Sequence, residues 1–427
     1  MLSAGGELVD SAPDVEIAPA RELRGDAGTA IVPLDVVLPE GGSRPLRAAR
    51  RSIGFVRVRM ESVASRREVR RRGYETTRIV PWEWEQAARL PESRRRSQSP
   101  SLPERMPLGA LVVGTHGTPG PTLLDEALAA ASEVRGAELG TAWPLVRQGG
   151  LVAIGDDSVV RVAVGPASRE LKLLRAGLEA LEASSPPPIV AERIPWLRGA
   201  GTVGLAEWSL EERLPGTAPP LELPESLLAE CVEFLAELHL TSRNGEPEAL
   251  LAGQAEVIAA TCEPTAAEAV RRLGSRLDDE LADVPRGFGH GDFWTRNLLT
   301  DRRGLSGVVD WHAGGSGRLP LVDLFHLRLS TVFQRRRQYL GDALVEHLLP
   351  SARAGGDEVV RSYSRRIGLE IDPARLEALV ASYWLTRTAR ELELYADRVE
   401  RPLWMRHNVE AVIPALAPPQ EGLTKYG

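Results

Sequence analysis

The sequence predicts an α+β chain in which a small strand-rich lobe precedes a larger helical lobe, with a separate α/β module ahead of both. Three observations predict it. Residues 147–165, RQGGLVAIGDDSVVRVAVG, hold two apolar runs joined by Gly-Asp-Asp-Ser, the pattern of a β-hairpin. After Pro215-Gly216 nearly every segment shows helical apolar spacing. One short non-helical island, residues 286–318, interrupts those helices.

The elements follow in order. Residues 1–25 are small, acidic and proline-containing, which suits a mobile tail. TAIVPLDVVL, residues 29–38, reads as a strand broken by Pro33. Residues 44–72 place Leu46, Ile53, Val56, Met60, Val63 and Val69 at helical spacing until Gly73, and Tyr74–Trp84 alternates like a strand. The Ser/Pro/Arg-rich stretch 89–107 is the best linker candidate. A strand at 108–114 and a helix at 122–135 come next. After the hairpin, residues 167–183 form a helix ended by Ser-Ser-Pro-Pro-Pro, and IVAERI and GLAEWSLEERL read as strands. Helices are expected at Pro224 to Arg243, 247–283, 320–350, 356–367 and 373–399. The predicted divisions are 1–110 (accessory module), 111–216 (connecting segment and strand-rich lobe) and 217–427 (helical lobe).

Composition narrows the function classes. The chain has 427 residues, 43% hydrophobic and 26% charged, an ordinary globular balance with length for a large core. A net charge of -7 and a pI near 5.7 argue against a general nucleic-acid binder. Arginine is dense between Arg44 and Arg96, while lysine occurs only at Lys172 and Lys425, the usage of a GC-rich genome. Cys231 and Cys262 are too few for a disulfide framework and lack zinc spacing, so they read as buried small hydrophobes. There is no apolar run of about 20 residues for a membrane span and no signal-like N-terminus, so a reducing cytoplasm is expected.

The island carries the chemistry. It contains His290-Gly291-Asp292, then Asn297, then Asp310-Trp311. Asp292 and Asn297 have the spacing of the kinase catalytic loop H-R-D-x-x-x-x-N. Phosphoryl transfer needs a carboxylate to orient the attacking hydroxyl and oxygen ligands to hold magnesium. Asp292 suits the first task, Asn297 and Asp310 the second.

The pattern HGDFWxxNLL at His290–Leu299, GVVDW at Gly307–Trp311 and PLxDL at Pro320–Leu324 resembles the aminoglycoside phosphotransferase and choline kinase-like family, whose members share the protein-kinase-like fold. The resemblance spans residues 147 to about 400, with LAELH at Leu235–His239 a further matching element. It implies a bilobal kinase-like fold and an ATP-dependent transfer of the γ-phosphate to a hydroxyl of a small polar molecule (an aminoglycoside, amino alcohol or sugar-like compound), with Mg2+ as cofactor. It implies Asp292 as the catalytic carboxylate and Asn297 and Asp310 as metal ligands. It places Glu170 where the family keeps the glutamate that pairs with the phosphate-binding cation, and Leu214-Pro215-Gly216 at the hinge that seats adenine. Asp323 and His290 are implied to brace the catalytic loop. His239 and His326 read as core or capping histidines.

Three departures stand out. Where the family usually offers a lysine or arginine to hold the phosphates, the candidate is Arg161, whose guanidinium is larger than an ammonium and fixes a different angle, with Lys172 a lesser candidate. The hairpin has turn glycines but no GxGxxG, and Asp156 and Asp157 at its tip would repel phosphate if they faced it. His312 stands where an acid is common. These keep open a catalytically silent ligand-binding or regulatory module. A scaffold docking a partner through the basic N-terminal region is the other alternative. Residues 1–145 carry no P-loop or dinucleotide fingerprint; the unit at 60–84 faintly resembles the last helix and strand of a class I methyltransferase. Around the acceptor, Arg387, Arg390, Arg398 and Arg401 intermix with Glu391, Glu393, Asp397 and Glu400, so the sequence does not single out a polycationic acceptor.

Overall fold

Two antiparallel-dominated sheets account for the strands before residue 213. In the computed structural model, the described residues are 15–17, 29–36, 64, 67–72, 76–81, 108–115, 123–137, 143–147, 150–163, 167–204, 206–242, 250–336, 338–394 and 402–416. The expected tail at 1–25 (apart from 15–17), most of the helix at 44–72 and the linker at 89–107 lie outside them. The chain divides into two compact units, residues 1–172 with 197–213 and residues 173–196 with 214–427.

The first unit begins with β1 (Val15–Ile17), β2 (Thr29–Val36), β3 (Thr76–Pro81) and β4 (Leu108–Thr115), a sheet of order β1-β2-β4-β3. Pro33 sits within β2 without breaking it. β1 pairs with Thr29–Ile31, so among the described residues Pro33 has a strand partner on the β4 side alone, an edge position where a missing N–H is tolerated. β4 spans residue 110 and pairs with both β2 and β3.

A helix at Leu123–Arg135 precedes the second sheet. That sheet contains β5 (Trp143–Arg147), β6 (Gly150–Ile154), β7 (Ser158–Ala163), β8 (Leu197–Val203) and β9 (Ala206–Glu212) in the order β5-β6-β7-β9-β8. The predicted hairpin is β6–β7, with Ile154 opposite Val159. Side chains alternate across the sheet. One face gathers Val160, Val162, Trp208 and Leu210 with Ala127 and Ala131 of the 123–135 helix into a buried core. Each large apolar side chain buried there contributes roughly 1.5–3 kcal/mol. The opposite face carries Arg161 and Ser209, paired in register.

One strand expectation needs correction. IVAERI was expected to be extended, yet Pro188–Ala191 is a short helix and the strand is displaced to Leu197–Val203. Pro188 at the first helical position carries a φ suited to a helix and lacks an N–H that would be unpaired there anyway. The β-branched run that suggested a strand is only two residues long.

The second unit is helical. Its helices run Glu225–Leu240, Leu251–Ala259, Pro264–Glu280, Val322–Arg336, Glu358–Ile367 and Pro373–Leu394, with shorter pieces at Leu340–Arg353 and Pro402–Leu416. The helix expected at 247–283 is divided because Pro264 cannot continue a preceding helix and begins its own. The island holds β10 (Gly287–Gly289), β11 (Leu298–Asp301), β12 (Gly304–Val308) and β13 (Gly315–Arg318), paired β10–β13 and β11–β12. Trp311, Trp384, Phe234, Phe288 and Phe293 are fully buried. Cys231 is buried and Cys262 half-buried; burial pushes the Cys231 thiol up to about 12, leaving it inert. Among the described residues no helix is long and apolar enough to cross a membrane.

Candidate active site

The His290–Asn297 loop follows β10, and core packing sets its course. Phe293 is fully buried, 5.8 Å from Phe234 of the 225–240 helix and 5.8 Å from the His290 ring. His290 in turn lies edge-on to Trp311 at 4.5 Å. Gly291 has φ +75°, and a Cβ there would stand 2.4 Å from the Ala313 carbonyl, so only glycine fits between His290 and Asp292.

Hydrogen bonds then fix the loop. Asp323, in the first turn of the 322–336 helix, accepts from the backbone N–H of His290 at 2.7 Å and of Gly291 at 2.8 Å. His290 Nε2 lies 3.0 Å from the Val309 carbonyl, while its Nδ1 receives the Asp292 N–H at 3.2 Å. A carbonyl only accepts, so Nε2 carries the proton and the ring is neutral. Burial lowers the His290 pKa, in agreement with that tautomer. A ring so committed has no proton to exchange with a substrate.

Asp292 is largely enclosed, its side chain 15% exposed. Oδ2 accepts from Asn297 Nδ2 at 3.1 Å, and the same amide nitrogen bonds the Asp292 carbonyl at 2.9 Å. With its nitrogen turned to Asp292, Asn297 presents its amide oxygen elsewhere, and that oxygen is the atom suited to a hard cation. Oδ1 accepts from Arg387 Nη1 at 2.6 Å and lies 3.3 Å from His326 Nε2. Burial pushes the Asp292 carboxyl up, but Arg387 and His326 outweigh it and hold it well below the usual range.

His326 extends this network. Its Nδ1 lies 2.9 Å from the Tyr383 hydroxyl. The carboxylate can only accept, so Nε2 donates to Asp292 and Nδ1 accepts a hydrogen bond from the Tyr383 hydroxyl. Burial, then Arg387, lowers the His326 pKa, and burial raises that of Tyr383, so both stay neutral. The sequence reading of His326 as a core or capping residue missed this contact. A signal was present: Asp323 and His326 are three apart on one helix and share a face. That face meets the loop twice, at its backbone and at its carboxylate.

Asp310 follows β12 with φ 66°, a left-handed backbone at a non-glycine residue. Such strain costs about 1–3 kcal/mol and persists where the surroundings impose it. Val309 N–H donates to the Asn297 carbonyl at 2.9 Å, tying the Asn297 backbone to the residue before Asp310. Among the described residues no three His, Cys, Asp or Glu side chains gather to bind a metal alone. Magnesium commonly takes only one or two protein groups, the rest of its shell being phosphate and water. One amide oxygen and one carboxylate fit that pattern.

Leu214 begins the second unit. It packs so closely on Gly307 of β12 that a Cβ there would stand 2.7 Å from Leu214 Cδ1. Ser306 Oγ donates to the Pro215 carbonyl at 2.7 Å, and Thr217 and Thr300 exchange backbone bonds at 2.8–2.9 Å. The Leu214–Gly216 segment is thus tied to the β11–β12 hairpin.

Arg161 lies in the first unit. Its Nε donates to Glu211 Oε1 at 2.9 Å, and Ser209 Oγ donates to the same oxygen at 3.1 Å. Glu211 is 1% exposed. The expected pairing was with Glu170, which sits in the first turn of the 167–183 helix; the carboxylate gripping Arg161 comes from β9 instead. Registry explains it: Arg161 is opposite Ser209, and Glu211 is the next residue on that face. Lys172 pairs with Glu207 at 3.1 Å. At the hairpin tip, Asp157 is drawn to Arg135 at 2.5 Å, and Arg213 donates to the Gly155 carbonyl at 2.7 Å.

The family model described as Phosphotransferase enzyme family matches residues 152–361. Among solved structures, the chain is similar to a thermostable mutant of aminoglycoside phosphotransferase APH(4)-Ia in its apo form. The identity is 17% over 68% of this chain and 100% of that one, with a TM-score of 0.44. It is similar to the GDP complex of wild-type aminoglycoside 2'-phosphotransferase-IIIa at 14% identity, covering 69% and 99%, TM-score 0.45. A choline/ethanolamine kinase family protein from Mesorhizobium loti gives 18% identity, 70% and 96% coverage and a TM-score of 0.44. No curated protein sequence matches the chain. The matched stretch contains β7 to β9 and the Asp292 loop, so residues 152–361 of this chain resemble the phosphotransferase enzyme family.

Proposed function

We propose that the protein transfers the γ-phosphate of ATP to a hydroxyl of a small polar molecule. The observation that carries this reading is the Asp292–Asn297 pair. One amide binds the carboxylate through nitrogen, which leaves its oxygen for a cation, and the Asn297 backbone is bonded to Val309, next to the strained Asp310. Asp292 orients the acceptor hydroxyl. As the new P–O bond forms and the bond to the ADP oxygen breaks, the hydroxyl proton passes to Asp292. Asn297 and Asp310 are the groups to hold Mg2+, which when bound offsets charge on the phosphates. Arg161, held by Glu211, is the cation for nucleotide phosphate, with Glu170 at the start of the following helix. Leu214 is the hinge residue against which adenine would rest. His290 and Asp323 hold the loop in shape.

The test is an acceptor screen with labelled ATP, run beside Asp292→Asn. Transfer by the wild type that is lost in the variant, with nucleotide binding retained, supports the reading; equal turnover by both would overturn it. One observation favours a second reading, a silent ligand-binding module: both Asp292 oxygens already have protein partners. Mg2+-dependent ATP binding without turnover of any acceptor would establish it.

A further inference from the structure

Two arginines of the 373–394 helix, Arg387 and Arg390, meet the Gly291–Asp292 segment. Arg387 is bonded to Asp292. Arg390, one turn further along the 373–394 helix, is mostly enclosed, and its contact is a 3.5 Å approach of Nη1 to the Gly291 carbonyl. Among the described residues no carboxylate stands within ion-pair distance of Arg390. Arg387 and Arg318 both lie close enough to Arg390 for their charges to be felt, and Arg318 donates to the Ala313 carbonyl at 2.8 Å. Of the nearby carboxylates, Glu391 lies 3.4 Å from Arg387 and Asp323 is committed to two backbone amides.

A desolvated guanidinium without a carboxylate is costly to fold around. It suits a site where a ligand brings the anion, because the planar fork matches carboxylate and phosphate oxygens. The same arginines oppose a polycation. Meanwhile Oδ1 of Asp292 is engaged by Arg387, so an incoming hydroxyl meets a partly occupied base.

We infer that the acceptor carries an anionic group, a carboxylate or a phosphate, beside its reacting hydroxyl, that Arg390 receives it, and that Arg387 is shared with it and so loosens from Asp292. This rests on the phosphotransferase reading of the site. Arg390 is then a specificity residue, and Arg387 a positioning residue that couples acceptor binding to the availability of Asp292.

Matched probes test it on the full chain. Calorimetry compares D-glucuronate with D-glucose, and D-glycerate and glycerol 3-phosphate with glycerol. These anions should bind at least tenfold tighter than their neutral partners in the wild type. Arg390→Met should erase about tenfold or more of that difference, and Arg390→Lys should restore part of it. The wild-type comparison needs no variant to fold. Equal binding of charged and neutral partners overturns the inference, as does an anion preference untouched by Arg390→Met. Labelled-ATP transfer to the same probes separates the two claims. Transfer only to neutral or cationic acceptors overturns the anionic class and upholds the phosphotransferase. Anion binding that depends on Arg390, without transfer to any acceptor, upholds the anion site and overturns the phosphotransferase reading. Arg390→Lys also separates the carboxylate and phosphate sources: a point charge should serve phosphate better than a bidentate carboxylate.

Discussion

Arg387 Nη1 stands 2.6 Å from Asp292 Oδ1, and the two are 95 positions apart in the chain. The proposed base, on the loop after β10, is therefore held by a cation on the 373–394 helix, where Arg387 is 20% and Asp292 15% exposed. Removing one partner of so enclosed a pair leaves a charge with little water. That costs about 3 kcal/mol or more.

Arg387→Met should consequently move the acid limb of kcat/KM to higher pH. In the wild type, burial raises the Asp292 pKa and Arg387 with His326 more than offsets it. Without the guanidinium the burial effect prevails, and the carboxylate protonates at a higher pH. A pH–rate profile of wild type and variant decides it. An unmoved limb would show that Arg387 does not set the state of Asp292.

Asp310 allows its backbone strain to be separated from its chemistry. Asp310→Ala and Asp310→Gly both remove the carboxylate, so Mg2+-dependent ATP binding should vanish in each. They differ in the cost of φ 66°. Alanine should be about 1 kcal/mol less stable than glycine by urea denaturation. If the two variants were equally stable, residue 310 would not keep that conformation in solution.

Asp323→Ala should lose about 3 kcal/mol or more. The side chain accepts two backbone N–H groups, at 2.7 and 2.8 Å, and hydrogen bonds to a charged group contribute roughly 1.5–3 kcal/mol each. Denaturant unfolding reads the loss directly. A change below about 1 kcal/mol would mean the loop finds other acceptors.

Two buried histidines give the fold an acid-sensitive edge. His290 and His326 both titrate below their ordinary value because burial disfavours the imidazolium. The unfolded chain thus binds more protons than the folded one from the folded-state values up to about 6.5. Their contribution is complete above about pH 6.5 and is lost as pH falls, by roughly 1.4 kcal/mol per pH unit for each ring. Tm should be flat near pH 7–8 and fall towards pH 5, less steeply in His326→Asn. An identical slope in the variant would remove His326 from the account.

What could be read from the sequence divides along physical lines. Asp292, Asn297, Asp310 and Asp323 lie within one stretch of the chain, so local spacing marked the first three as candidates and the resemblance carried by that stretch pointed to Asp323, whose bonds to the loop backbone are present. The Arg161 hairpin was legible because alternation is local as well. The partner of Arg161 was not: Glu211 reaches it across a β7–β9 pairing whose register depends on the whole sheet. Arg387 and His326 were hidden for the same reason. A helix pattern shows that Arg387, Arg390 and Glu391 lie near one another, but which of them meets Asp292 depends on how that helix packs. The IVAERI error came from weighing two β-branched residues above three consecutive prolines.

The boundary of the N-terminal module is the remaining question, and β4 bears on it. Cutting after residue 110 would sever a strand that pairs with both β2 and β3 and leave five of its residues as an exposed edge. A chain starting at Pro121 removes that sheet whole. It keeps the 123–135 helix, whose Ala127 and Ala131 are fully buried against Val160, Val162, Trp208 and Leu210. A chain starting at Gly140 would lose that helix and expose Trp208 and Leu210 to water. The Pro121 start should therefore be monomeric and unfold cooperatively, while the Gly140 start should aggregate. Size-exclusion chromatography with thermal unfolding distinguishes them. If both truncations were soluble and equally stable, the helix would not be part of the five-stranded sheet's core. If both aggregated, the first sheet would be integral to the fold and not an appended module.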